Sequence, residues 1–164
     1  MPLSIPHNVN IVQPGFMAPD FDLENVQGGH FVLSKEVVKG PLVLNFYGGG
    51  WSLPCVAMLR KIQRLLPEFG KRGGQFAAVS SESCALTVRL AKAGGFTFPL
   101  LVDADLIAVK RYGIWNPQSE RPAPFPSFWV IDQDGVIRFK RVILTEKDRP
   151  DIDTLLSEIE KYRM

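Results

Sequence analysis

LVLNFYGGGWSLPCVAMLRKIQRLL, residues Leu42 to Leu66, decides how this chain folds. Leu42, Val43, Leu44 and Phe46 form a short apolar run between Pro41 and Gly48, the pattern of a strand buried on both faces. Three glycines then turn the chain. Pro54 has no N–H to lose and suits a first helical turn, after which Cys55, Leu59, Ile62 and Leu66 recur at helical spacing on one face. Cys55 therefore sits at a helix N-terminus, where unpaired N–H groups and the positive end of the macrodipole favour a thiolate over a thiol. Because the thiolate is the nucleophile, Cys55 is the first candidate reactive residue. The competing reading is a small buried side chain within a helix.

Before this stretch the chain is loop-rich, with short β-prone pieces around Phe21 to Leu23 and His30 to Leu33 that suggest a hairpin, and Ser34 as the cap of a short helical turn. After it, Gly70 and Gly73-Gly74 stop the helix, Gln75 to Val79 reads as a strand, and Ser80, Ser81 and Ser83 offer caps for a helix with Leu86, Leu90 and Ala93 as its buried stripe. Pro99 to Val102 reads as a strand, Asp103 to Tyr112 as a short helix, and Gly113 to Pro126 as an irregular loop. Ser127 to Ile131 and Val136 to Val142 make a hairpin across Asp132-Gln133-Asp134-Gly135. A last helix begins near Pro150-Asp151 and buries Ile152, Leu155, Leu156, Ile159 and Tyr162. Strands alternating with helices, then a terminal hairpin and helix, predict a single α/β domain over residues 1–164, with helices flanking a mixed central sheet.

Composition narrows the function. Lys+Arg 19 against Asp+Glu 17 gives a net charge of +2, and the basic residues are scattered, so no footprint for nucleic acid appears. Short acidic-basic mixtures such as Glu146 to Arg149 read as solvated surface. Met1 to His7 lacks a targeting pattern and the apolar runs are strand-length, so no membrane is expected. Two cysteines, Cys55 and Cys84, are too few for a disulfide framework, and His7 and His30 share no ligand spacing with them. The expectation is a cytoplasmic protein with no cofactor and no metal.

Gly48-Gly49-Gly50 lacks the Gly-Lys-Ser/Thr ending of a phosphate loop. Gly50-Trp51-Ser52-Leu53-Pro54 lacks the last glycine of a hydrolase elbow, and both histidines precede its serine. The spacing Gly48-x-x-x-Ser52-x-x-Cys55, however, resembles the peroxiredoxin motif Pro-x-x-x-Thr/Ser-x-x-Cys. Gly15, Ala18-Pro19-Asp20-Phe21, Leu33-Ser34, Gly40 and Val43-Leu44-Asn45-Phe46-Tyr47 resemble the N-terminal half of the alkyl hydroperoxide reductase and thiol-specific antioxidant group. Pro126-Ser127-Phe128-Trp129-Val130-Ile131-Asp132-x-Asp134-Gly135 is similar to a strand and turn shared by peroxiredoxins and thioredoxin-like reductases.

The resemblance covers roughly Pro14 to Leu156 and implies a thioredoxin-like fold with an N-terminal β extension. It also implies a thiol peroxidase that reduces hydrogen peroxide or organic hydroperoxides through Cys55. Two positions depart from the pattern. Gly48 stands where peroxiredoxins carry a shielding proline, and Pro126 where they carry an arginine that supports the thiolate; Arg60 and Arg121 are the candidate replacements. Pro126 matches instead the cis-proline of thioredoxins, which implies a cis Phe125–Pro126 peptide facing Cys55. Trp51-Ser52-Leu53-Pro54-Cys55 resembles Trp-Cys-x-Pro-Cys with its first cysteine replaced, and Ser52 is either natural or an engineered replacement.

Three readings follow: a thiol peroxidase, a thiol-disulfide oxidoreductase that has lost its first cysteine, and a redox-silent binding module of the same fold. On the first, the Cys55 thiolate attacks a peroxide oxygen and a thiol reduces the resulting sulfenic acid. The Ser52 hydroxyl bonds the sulfur or the peroxide, or else caps the helix. Cys84 is either the resolving thiol or a small buried residue in the first turn of its helix. Expected partners are a peroxide and a reductant such as thioredoxin, glutathione or another thiol, with a homodimer left open.

Overall fold

A computed structural model describes residues 10–163; His7 and the segment read for targeting lie outside them. Seven strands form one sheet: β1 (Asp22–Asn25), β2 (His30–Val32), β3 (Leu42–Phe46), β4 (Gln75–Ser80), β5 (Leu100–Val102), β6 (Ser127–Ile131) and β7 (Ile137–Val142). Their order is β2-β1-β5-β4-β3-β6-β7. β3 runs parallel to β4 and antiparallel to β6, and all five of its residues are buried. The apolar run between Pro41 and Gly48 is thus the interior strand its composition predicts. The β1–β2 hairpin joins antiparallel to β5, which gives the mixed sheet its N-terminal extension.

The helices are α1 (Leu33–Glu36), α2 (Leu53–Arg64), α3 (Leu66–Lys71), α4 (Cys84–Gly94), α5 (Ile107–Arg111) and α6 (Ile152–Glu160). Side chains alternate across β3. Leu42, Leu44 and Phe46 pack with Trp129, Tyr112 and the α1 and α5 side, whereas Val43 and Tyr47 pack with α2, α3 and α6. Ile152, Leu155, Leu156 and Ile159 bury as the α6 periodicity predicts.

Four local expectations are corrected. The helix after Cys55 breaks at Leu65, because Pro67 opens α3. α1 begins at Leu33 with no side-chain cap; Ser34 lies within it, and its N–H is taken by the Asp20 carboxylate at 2.9 Å. α5 is shorter than Asp103 to Tyr112 because Leu106 takes a left-handed φ of 60° and Asp103 caps the Ile107 N–H at 2.9 Å. α4 buries only part of the expected stripe: Leu90 packs against the core, whereas Ala93 is exposed. Ser83 caps it by accepting from Leu86 N–H at 3.3 Å, Thr87 is its buried residue, and Leu86 is 45% exposed.

Candidate functional site

β3 ends at Phe46, and the glycine turn carries the chain over to α2. Ser52, in extended backbone, is the helix N-cap, and its Oγ accepts a long 3.4 Å hydrogen bond from Cys55 N–H. The capping role read for Ser52 is therefore the one its geometry displays. Cys55 is the third residue of α2, faces the sheet, and is 1% exposed.

Gly49 is needed where it stands, and Gly48 is closely packed. A Cβ on Gly48 would come within 3.0 Å of the Trp51 ring, and one on Gly49, whose φ is +144°, within 2.5 Å of Glu82 Oε1 and 2.6 Å of Trp51 Nε1. Trp51 thus lies back over the turn, and Arg121 stacks on its ring at 5.8 Å. The Gly50 N–H donates to Glu82 from the loop after β4. The space a proline would occupy at position 48 is filled by indole.

The cation at the sulfur is neither Arg60, which is exposed, nor Arg121, which belongs to Trp51. It is Arg149, whose Nη2 donates to Cys55 Sγ at 3.8 Å. Arg149 precedes α6 and its side chain is 12% exposed. Glu146 accepts from the same nitrogen, Nη2, at 3.2 Å and from Nε at 3.0 Å, so that Nη2 is shared between carboxylate and sulfur. Burial alone would weaken this cation, but Glu146 and the Cys55 sulfur more than offset it and hold its proton tightly. The supporting turn is itself fixed by a capping box between Thr145 and Asp148.

Reading Glu146 to Arg149 as solvated surface is therefore corrected for Arg149. The signal that points to an ordered segment is Thr145 three residues before Asp148, followed by Pro150-Asp151 at the start of a helix. A cleft of about 440 Å³ opens between α2 and the start of α6, lined by Met58, Lys61, Leu65, Arg149 and Pro150 among others. Arg149 thus both touches the sulfur and lines this cleft.

Pro126 is also corrected. The Phe125–Pro126 peptide is trans, as are all peptide bonds among the described residues. The segment enters β6 as extended chain, with Phe125 N–H donating to Ile114 O at 2.7 Å and Pro126 O accepting from Ile143 N–H at 2.8 Å. The ordinary trans preference of X-Pro meets no opposing contact.

Cys84 is the first residue of α4 and is partly exposed rather than buried. Its Sγ donates to Glu24 Oε1 on β1 at 3.4 Å, and the carboxylate pushes the thiol's proton affinity up. β1 lies three strands from β3 in the sheet order, about 14 Å at the usual strand spacing. Cys55 faces Arg149 and Cys84 faces Glu24, and both thiols are free. The structure brings Ser52, Cys55 and Arg149 together and leaves Cys84 apart.

One polar atom nearby is unaccounted for. Tyr47 Oη is buried with no hydrogen-bond partner among the described residues, a state that costs on the order of 1–3 kcal/mol for a buried hydroxyl.

What the arrangement can do is single-thiol chemistry. A shielded sulfur at a helix start, under a guanidinium, is built to attack an electrophilic oxygen or sulfur and to stabilise charge as it does so.

Comparison with known proteins places the chain among thiol-based redox proteins. The AhpC/TSA family model matches residues 14–140. The chain is 30% identical over 149 residues to the thiol-disulfide oxidoreductase ResA of Geobacillus thermodenitrificans, covering 90% of this chain and 79% of that protein. It is 29% identical over 129 residues to ResA of Halalkalibacterium halodurans, covering 78% and 68%. Among solved structures, the peroxidoxin BcpB of Mycobacterium tuberculosis superposes with a TM-score of 0.82 at 23% identity, covering 92% of this chain and 98% of that one. The reduced 2-Cys peroxiredoxin of Plasmodium vivax superposes at 0.79 and 23% identity, covering 90% and 80%. The fold is thioredoxin-like, as the resemblance implied.

Proposed function

From the premise that this chain belongs to the AhpC/TSA family and is a thiol-based redox protein, we propose that it is a one-cysteine peroxidase. The observation that carries the reading is Arg149 Nη2 at 3.8 Å from the buried Cys55 Sγ. The guanidinium neutralises the attacking thiolate and faces the cleft through which a substrate arrives. A sulfur that is 1% exposed is reached more readily by the two oxygens of a hydroperoxide than by a disulfide within a folded protein.

The thiolate attacks the terminal peroxide oxygen and the O–O bond breaks. Sulfur is oxidised to Cys55 sulfenic acid, and the leaving oxygen takes a proton to become alcohol or water. With Cys84 held against Glu24, an external thiol of thioredoxin or glutathione type displaces water to form a mixed disulfide, and a second thiol releases Cys55. A reducing compartment such as the cytoplasm supplies such thiols.

A second reading, thiol-disulfide exchange, draws on the identity to the two ResA proteins. Ser52 stands where the Trp-Cys-x-Pro-Cys pattern has its first cysteine, so exchange here would run through mixed disulfides only. Intact mass after one equivalent of hydrogen peroxide, or of an oxidised thiol, separates the two. Rapid gain of one oxygen at Cys55, reversed by added thiol, supports the peroxidase. Inertness to peroxide with ready mixed-disulfide formation replaces it with exchange.

A further inference from the structure

Tyr47 follows β3 directly and belongs to the same buried cluster as Cys55, Met58 and Leu59. Its backbone is fixed, with its N–H donating to Val79 O at 3.0 Å, and the residue is 1% exposed. Its Oη is the one buried side-chain polar atom among the described residues that has no hydrogen-bond partner. The polar groups felt at this oxygen are the Ser80 hydroxyl, the Glu82 carboxylate and the Cys55 sulfur. None of them, Ser80 included, meets hydrogen-bond geometry with the phenol, and each already accepts elsewhere. Ser80 Oγ accepts from Glu82 N–H at 3.3 Å, Glu82 accepts from Gly50 N–H, and the sulfur accepts from Arg149.

Phenylalanine would fill the same volume without burying an idle hydroxyl, so the fold alone gives no reason for tyrosine here. A donor without an acceptor in the reduced protein is suited to an acceptor that appears during reaction. Oxidation of Cys55 adds one: an oxygen on the sulfur, projecting one bond beyond it within the same cluster.

Resting on the peroxidase reading, we propose that Tyr47 is a further catalytic residue, its hydroxyl donating a hydrogen bond to the oxygen that Cys55 takes from a hydroperoxide. As the S–O bond forms and the O–O bond breaks, sulfur gives up two electrons to the peroxide. The transferred oxygen keeps its hydrogen as Cys55–S–O–H and accepts from Tyr47, while the leaving oxygen is protonated from solvent. Tyr47 keeps its own proton throughout, since burial holds the phenol well above the ordinary tyrosine range. A donor already positioned for the oxygen in transfer helps because it need not reorganise as the S–O bond forms.

The test compares wild type with Tyr47→Phe in three measurements: single-turnover oxidation by hydrogen peroxide, alkylation of Cys55 by iodoacetamide, and thermal stability. Alkylation needs the thiolate but transfers no oxygen. The proposal expects oxidation slowed about tenfold or more, alkylation within twofold of wild type, and a melting temperature equal or higher. Oxidation at the wild-type rate overturns it, as does equal slowing of oxidation and alkylation, which would make Tyr47 a positioning residue for the thiol. A lowered melting temperature assigns the hydroxyl a structural bond and likewise overturns it. A wild type that peroxide does not oxidise removes the peroxidase reading and this proposal together, and that outcome is read before the variant is made.

Discussion

Arg149 lies 94 residues beyond Cys55 in the chain, yet its Nη2 is 3.8 Å from the Cys55 sulfur, and the same nitrogen, with Nε, is held by the Glu146 carboxylate. The cation of the site is thus delivered by the turn that opens α6, not by the loop before β6.

Arg149→Gln removes that charge while keeping a polar side chain of similar reach. Reaction of Cys55 with peroxide and with iodoacetamide should both fall, by roughly 10²-fold if the guanidinium stabilises the attacking sulfur. Stability should change little, about 1 kcal/mol or less, because the partner left behind, Glu146, is 62% exposed. Arg149→Lys should recover only part of the rate, since an ammonium lacks the planar fork that serves Glu146 and the sulfur together. Stopped-flow rates of the three proteins decide it, and wild-type rates in Arg149→Gln would remove the guanidinium from the mechanism.

The same turn predicts an acid response. Glu146 is held below its usual range by the Arg149 hydrogen bonds, Asp148 by the N–H groups of Thr145 and Leu144, and Asp151 by the N–H and hydroxyl of Thr154. A carboxyl with a depressed folded pKa binds its proton more tightly in the unfolded chain. Its stabilisation is complete above the unfolded value, near 4.5 for Glu146, and is lost as pH falls through the lower folded value. The urea midpoint should be level on these groups' account between about pH 7 and 5 and decline below about pH 4.5. Glu146→Gln should flatten part of that decline, and identical pH profiles for the two proteins would exclude Glu146 from it.

How far the sequence carries can be judged at particular residues. β3 and the start of α2 are legible because burial on both faces and Pro54 leave local signatures, and Cys55 follows from them. Arg149 is not, because its role depends on a contact across the whole fold while its neighbours are exposed charges. The face of α4 is only partly legible: Leu90 packs against the core as helical spacing suggests, but Thr87, whose Oγ1 donates to Ser83 O at 2.8 Å, is the buried residue, and Leu86 and Ala93 are exposed. Pro126 misleads for a different reason: the residue matches the cis-proline of thioredoxins by position, but its peptide is trans, and sequence alone does not carry the isomer.

The glycine turn gives a stability prediction. Gly49→Ala puts a methyl group where Glu82 and the Trp51 indole already are, in backbone of φ +144° that L residues avoid. A cost on the order of 1–3 kcal/mol is expected, read as a lower urea midpoint. Trp51 should also change its fluorescence as it leaves the turn. An unchanged midpoint and spectrum would mean the turn relaxes freely.

Cys84→Ser should leave the product of peroxide treatment as it is in wild type, one oxygen gained at Cys55 with no loss of two hydrogens. Cys84 Sγ donates to Glu24, which keeps the thiol protonated and directed away from Cys55. Intact masses of both proteins test this, and a disulfide in wild type that Cys84→Ser abolishes would make Cys84 the resolving thiol.

Ser52→Cys asks what the serine at the N-cap prevents. Ser52 lies three residues before Cys55 at the start of α2 and accepts its N–H, so a thiol there recreates a Cys-x-x-Cys pair at a helix N-terminus. After one equivalent of peroxide, Cys55 sulfenic acid should be attacked by the new thiolate, releasing water and leaving a 52–55 disulfide. The mass should fall by two hydrogens where wild type gains an oxygen. Loss of the serine cap should cost about 1 kcal/mol, small enough to keep the fold. The variant should also gain dithiol-disulfide exchange with a reduced or oxidised model thiol, which wild type, confined to mixed disulfides, does not complete. A Ser52→Cys protein that still accumulates sulfenic acid at Cys55 would show that the two sulfurs do not meet, and that position 52 serves this site only as a helix cap.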